Sequence, residues 1–184
     1  MAGATNPREQ PPCTENDHAP QPRRLADSPM NDAVAIRPAV RDEIGAVLDV
    51  WRRAEAIPGE TDTAADLGHL LRHDDEALLV AIADGQIVGT AIVTWDGWRA
   101  GLWRLAVLPE WRRRGVARAL VAEAERRLLA KGARRMSVLA ESNDPRATAF
   151  WEARTDMGYV RDPGARRYVK MLRREAAAGD KPTD

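Results

Sequence analysis

The chain has 184 residues, 44% hydrophobic and 30% charged, which fits one folded domain with a sizeable core and excludes a chain disordered throughout. Lys plus Arg and Asp plus Glu balance at 28 each, so no basic surplus exists to hold a nucleic-acid backbone, and a nucleic-acid partner is not expected. No apolar run approaches the about 18 residues of a membrane span, and the lone cysteine, Cys13, cannot close an internal disulfide. The expectation is a soluble, cytoplasmic protein without a membrane partner.

Residues 1–32 are rich in Pro, Asn, Asp, Gln and Arg and read as a flexible leader, with translation starting at Met1 or at Met30. A short strand follows over 33–37. Ile44, Val47, Leu48 and Trp51 then share one helix face until Pro58 and Gly59 break the pattern. A second helix is expected over 64–72. Residues 77–83 are almost continuously apolar, Asp84 and Gly85 form a two-residue turn, and 87–95 return as an antiparallel strand. Asp96 and Gly97 turn the chain into a third strand over 100–108, which must stop at or before Pro109.

Over 116–131, Val116, Leu120, Ala124 and Leu128 recur every four residues, and Gly132 supplies a left-handed stop. A strand over 135–140 precedes a helix over 145–153, capped by Asn143 or Asp144 with Pro145 in its first turn. Short strands over 159–161 and 168–172 complete the order. The alternation of periods near 2 and near 3.6 predicts a mixed α/β (α+β) domain over 33–173, followed by a flexible tail over 174–184.

The chemistry concentrates between Leu105 and Arg118. A buried strand ends, Pro109 turns the chain, and a helix begins at Gly115 amid arginines. Free N–H groups at a helix start attract anions, and Gly115 with small Ala117 leaves the backbone open to close approach. Arg112, Arg113, Arg114 and Arg118 add charge suited to phosphate oxygens. Charge alone fits a solvated arginine face. Four arginines at a helix start nevertheless oppose the macrodipole unless an anion relieves them, and the strand, proline, glycine and alanine around them point to a phosphate ligand.

Arg112-Arg113-Arg114-Gly115-Val116-Ala117 resembles the signature of the GNAT superfamily: Arg or Gln, two variable residues, Gly, one variable residue, then Gly or Ala. The resemblance implies the GNAT fold, a mostly antiparallel sheet of six to seven strands flanked by about four helices. It implies acetyl-CoA as acyl donor, an amine acceptor on a small molecule or peptide, and direct attack in a ternary complex. It assigns Arg112, Arg113, Arg114, Gly115, Val116, Ala117 and Arg118 to the pyrophosphate of coenzyme A. Leu105, Ala106 and Val107 fall to its pantetheine arm, the backbone N–H of Val107 to the oxyanion, and Asn143 to a further cofactor contact. Homodimers belong to the same expectation. The chain lacks both the Gly-x-x-x-x-Gly-Lys-Ser/Thr loop and the Gly-x-Gly-x-x-Gly turn, so ATP and NAD are not expected.

The pattern departs from the family at Trp151, which stands where a tyrosine often acts as general acid; an indole N–H is too weak an acid for that task. Asn143 matches the family's asparagine by residue type and Asp144 by spacing, and either is also a plain helix cap. No context singles out a base among Glu55, Glu60, Asp96 and Glu141, each of which reads equally as a surface carboxylate. His69 and His73 lie four apart without the glutamate of His-Glu-x-x-His, so no metal is expected. Of the six tryptophans, Trp51, Trp95 and Trp98 fall on elements that line the acceptor in the family; the bland alternative is packing. Two other functions stay open: an acyl-CoA sensor without turnover, and a transferase using a longer acyl chain.

Overall fold

A computed structural model of the chain describes residues 34–141 and 143–170. In chain order it contains β1 (Ala35–Pro38), α1 (Ile44–Arg53), α2 (Ala64–His73), β2 (Leu78–Ala83), β3 (Gln86–Trp95), β4 (Ala100–Val107), α3 (Val116–Ala130), β5 (Met136–Val138) and α4 (Pro145–Glu152). The strands form one sheet in the order β1-β2-β3-β4-β5, antiparallel from β1 to β4 and parallel between β4 and β5. No helix among the described residues is long and apolar enough to cross a membrane.

The unbroken apolar run of β2 reflects a strand covered on both faces. Leu79 and Ala81 pack with Leu120, Val121 and Ala124 of α3, whereas Leu78 and Val80 pack with Val47 and Trp51 of α1 and Leu67 of α2. Each fully buried leucine contributes about 1.5–3 kcal/mol. Helix α3 sits close because Gly89 of β3 has no side chain: a Cβ there would lie 3.1 Å from Val116 Cγ1 and 3.2 Å from Leu120 Cδ1. The helix ends as its glycine requires, with Gly132 at φ 87° and the Ala133 and Gly132 amides donating to the carbonyls of Leu128 and Leu129.

The expected layered α/β fold is borne out, but the strand count is lower: five among the described residues against six to seven. Residues 159–161 and 168–170 form no ladder. Tyr159 instead packs on Trp151 and bonds Glu125, while Val160 and Tyr168 stand 85% and 88% exposed. Met171 and Leu172 of the last expected strand lie outside the described residues, as do the proposed leader with Cys13 and Met30 and the proposed tail over 174–184.

One irregularity governs the middle of the sheet. Thr90 faces Ala106 and Ile92 faces Trp103, so Ala91 alone opposes Arg104 and Leu105, and β4 carries one extra residue. Arg104 adopts φ 51° at this bulge. The fully buried Thr90 hydroxyl accepts from Trp51 Nε1 at 2.8 Å and donates to the Arg104 carbonyl at 3.3 Å, which ties α1, β3 and the bulge together.

Thr90→Val keeps the shape but strands the Trp51 N–H and the Arg104 carbonyl, so it is expected to cost about 1–3 kcal/mol in urea unfolding. A loss below about 0.5 kcal/mol would show that the hydroxyl does not brace the bulge.

Candidate functional site

Strand β4 pairs with β5 only at Ala100, Leu102 and the residue between them. Past the bulge β4 continues to Val107, whereas β5 has ended at Val138, so among the described residues this edge of β4 has no ladder partner; the space beside it is termed the wedge. The Leu108 amide donates to Val88 O at 2.9 Å. Antiparallel pairs alternate, so the N–H and C=O of Val107 turn away from β3 toward the wedge. There the Val107 carbonyl accepts from Arg112 Nε at 3.1 Å.

The loop after β4 is built from a turn at Pro109–Trp111, an extended Arg112, and two left-handed residues, Arg113 at φ 59° and Gly115 at φ 82°. The first helical bond of α3 runs from Ala119 N to Gly115 O at 2.9 Å, and no side chain caps the helix. The amides of Val116, Ala117 and Arg118 precede that bond and face outward with the positive end of the dipole. A Cβ at Gly115 would meet nothing within 4 Å, so the glycine is required by its backbone angle and not by crowding.

The arginines are placed unequally. Arg112 lies inward, with Nε on Val107 O and Nη2 on Ala54 O at 2.9 Å, bracing the loop against the end of α1. Arg114 lies over the Trp111 ring with 5.0 Å to its centroid, and Arg118 pairs with Asp156 at 3.0 Å on the surface. Exposed pairs of this kind contribute little stability, but they fix where charge sits.

Helix α4 closes the far side. Asp144, not Asn143, caps it, accepting from the amides of Arg146 and Ala147 at 2.9 and 3.3 Å. Burial pushes the Asp144 carboxyl up, but these bonds prevail and leave it below its ordinary range. Asn143 stands exposed in the preceding turn. Arg146 Nη1 reaches Glu55 Oε2 at 2.9 Å, and Arg53 Nη2 reaches Glu110 Oε1 at 2.8 Å. The last turn of α1 thus gathers the β4 loop, through Arg112 and Glu110, and the start of α4, through Arg146.

None of the carboxylates considered as a base stands out. Glu55 is paired as above, Glu141 binds Arg167 at 2.7 Å, and Glu60 is exposed in the loop after α1. Asp96 accepts from the Arg99 and Trp98 amides, which hold its carboxyl below the usual range. Trp151 packs against Phe150 at 5.0 Å and Tyr159 at 4.9 Å. Burial, then the hydrogen bond to Glu125, hold the Tyr159 phenol well above its ordinary range, so it remains protonated.

Two features escaped the sequence reading. Arg104 donates through Nη1 to Ile57 O at 2.7 Å, pairs with Asp62, and lies 5.3 Å from the Trp51 ring centroid, clasping the loop between α1 and α2 onto β4. The turn at Ala54 and Glu55, with Glu55 at φ 53°, is the second. Neither has a local signal, since arginine and glutamate are not residues that announce a left-handed angle.

A family model described as the acetyltransferase (GNAT) family matches residues 44–157. A protein named acetyltransferase from Photorhabdus laumondii is 36% identical over 110 residues, covering 59% of this chain and 77% of its own. Another acetyltransferase, from Pectobacterium atrosepticum, is 31% identical over 112 residues, covering 61% and 79%. Among solved structures, the aminoglycoside acetyltransferase AAC(6')-Iy bound to a bisubstrate analog superposes with a TM-score of 0.60 at 23% identity, covering 76% of this chain and 99% of that one. Ard1 from Thermoplasma volcanium gives 0.59 at 20% identity, covering 66% and 80%. At these identities the structures establish the likeness of fold.

Arg112→Ala is expected to leave the Ala54 and Val107 carbonyls without their partner and to cost about 1–2 kcal/mol. Hydrogen–deuterium exchange should rise over residues 109–115 and stay unchanged in β2; unchanged exchange in the loop would rule out the brace.

Proposed function

We propose, from the premise that the chain belongs to the GNAT acetyltransferase family, that it is an N-acetyltransferase moving acetyl from acetyl-CoA to a primary amine by direct attack. The observation that carries this reading is the junction of two sets of backbone donors: the uncapped start of α3 and the end of β4 that turns into the wedge. The first suits a pyrophosphate and the second an amide-bearing chain, so the residues present fit coenzyme A.

In this reading the amides around Gly115, Val116, Ala117 and Arg118 bind the pyrophosphate. Arg113, Arg114 and Arg118 contribute a positive field. Arg112 acts by fixing the loop, because two of its nitrogens are committed to carbonyls. The Leu105, Ala106 and Val107 backbone takes the pantetheine arm, and Asn143 is assigned a further contact across the wedge. Acetyl-CoA, when bound, supplies the thioester; the Val107 N–H donates to its carbonyl oxygen and favours the charge that gathers there. AAC(6')-Iy was solved with an analog that joins coenzyme A to an acetylated aminoglycoside, which supports an amine acceptor here.

The amine must arrive neutral. Its nitrogen forms the new C–N bond as the C–S bond breaks, one proton passes from nitrogen to water, and sulfur leaves as thiolate. Trp151 cannot protonate that sulfur, but a thiol ionises near pH 8.5, so the thiolate is a tolerable leaving group without an acid. Glu55 and Glu141 are the carboxylates assigned to draw the proton through water. A lone cysteine and the absence of a disulfide framework favour action in the cytoplasm.

The carboxylates' existing partners favour a second reading, binding of acyl-CoA without turnover. Release of coenzyme A thiol with a panel of amines separates the two, since a sensor releases none.

Thermal unfolding with saturating acetyl-CoA, and with ATP and NAD as controls, is the test of the donor. At about a hundred times its dissociation constant a ligand adds roughly 2.7 kcal/mol, so a shift of several degrees is expected with acetyl-CoA alone. The absence of a shift would sink the proposal. Gly115→Val forces a β-branched residue to a left-handed angle at about 1–2 kcal/mol and should weaken acetyl-CoA binding tenfold or more, about 1.4 kcal/mol, by calorimetry; unchanged affinity would remove the loop from the site.

A further inference from the structure

We propose that Asp156 stands in for a donor phosphate at the start of α3: it holds Arg118 until that guanidinium is taken by a phosphate of coenzyme A, and then turns to Arg154. Asp156 is thus a positioning residue that competes with the donor and sets how tightly it binds. The inference rests on the acetyl-transfer reading above.

The helix start lacks an anion of its own. Arg118 lies in the first turn of α3, where a cation opposes the macrodipole, and that turn carries no acidic residue and no side-chain cap. Asp156 comes from the 3-10 turn that follows α4, Ala153–Met157, and its Oδ2 lies 3.0 Å from Arg118 Nη1. A carboxylate therefore occupies a guanidinium that is equally suited to phosphate oxygens. Arg112 is committed to two carbonyls, but the Arg118 and Asp156 side chains are 57% and 46% exposed, so water screens their pair and it exchanges without disturbing the core.

The displaced carboxylate has a second partner beside it. Arg154 Nε is buried without a hydrogen bond among the described residues, and it lies 3.9 Å from Asp156 Oδ1. The Arg154 guanidinium is held in place over the Phe150 ring, 5.0 Å from its centroid. The backbone around Asp156 is fixed as well: the Gly158 amide donates to Thr155 O at 3.0 Å and the Tyr159 amide to Arg154 O at 3.2 Å. Tyr159 Oη donates to Glu125 Oε1 at 2.7 Å, two helical turns along α3 from Arg118, so the segment stays docked while the Asp156 side chain turns. Closing on Arg154 offsets part of the lost pair. It leaves the carboxylate beside the incoming phosphate, and that repulsion makes Asp156 a net competitor.

The test is calorimetric titration of acetyl-CoA into the unmodified protein, Asp156→Asn and Asp162→Asn, the last removing a surface carboxylate that pairs with Arg135. Asp156→Asn should bind acetyl-CoA about two- to fivefold more tightly, the range spanned by an exposed ion pair, and Asp162→Asn should match the unmodified protein. A second readout needs no variant and covers the case in which Asp156→Asn does not fold: in nitrogen-15-labelled unmodified protein, the Nε–H signals of Arg118 and Arg154 should both move as acetyl-CoA saturates. Equal or weaker binding by Asp156→Asn, an equal gain in Asp162→Asn, or an Arg154 signal unmoved at saturation overturns the proposal. Failure of the unmodified protein to bind acetyl-CoA instead overturns the acetyl-transfer reading on which it rests.

Discussion

One extra residue in β4 sets the geometry on which the site depends. A strand in perfect register would carry β4 beside its neighbours to its end; the bulge at Arg104 and Leu105 bends it instead, and pairing with β5 stops at Leu102. A non-glycine residue at positive φ costs on the order of 1–2 kcal/mol, and the surroundings of Arg104 over-determine it. Its carbonyl takes the buried Thr90 hydroxyl, and its guanidinium bonds Ile57 O and Asp62. The residue that opens the wedge therefore also ties down the loop between α1 and α2. Trp51 joins the two jobs, since its N–H meets Thr90 and its ring lies under Arg104.

The electrostatics of the loop follow a similar economy of parts. Four arginines crowd the positive end of α3, an arrangement that the macrodipole opposes. Arg112 is anchored on two carbonyls, Arg114 lies on Trp111 and Arg118 pairs with Asp156, so much of the charge is already oriented. Beside these side chains the loop presents backbone: amides preceding the first helical bond, next to two left-handed residues. In the proposed function, recognition through amides is insensitive to side-chain identity, and Arg112 serves by shaping the loop.

Much of this was legible in the sequence. Asp84 and Gly85, Asp96 and Gly97, and the four-residue spacing of Val116, Leu120, Ala124 and Leu128 are local signals, and each produced the element expected. The shape of the loop before α3 was readable because strand, proline, glycine and small residue follow one another directly. Non-local features were not readable. The bulge depends on how Thr90 and Trp51 meet a strand far away in sequence, and the inward turn of Arg112 depends on a carbonyl at Ala54. Residues 159–161 and 168–170 have strand-like composition, yet Tyr159 finds its partners in Trp151 and Glu125, and composition cannot reveal that competition. The choice between Asn143 and Asp144 as cap turned on geometry that either residue type could satisfy.

The proposed function requires the wedge and the α3 amides to act as one binding surface for acetyl-CoA, and amide resonances report on both at once. In nitrogen-15-labelled protein titrated with acetyl-CoA, the Leu105 and Val107 signals should move together with those of Gly115, Val116 and Ala117, along a single saturation curve. If saturating acetyl-CoA leaves the Val107 and Val116 amides unmoved, or shifts only residues on another face, the donor does not bind where the bulge opens the sheet.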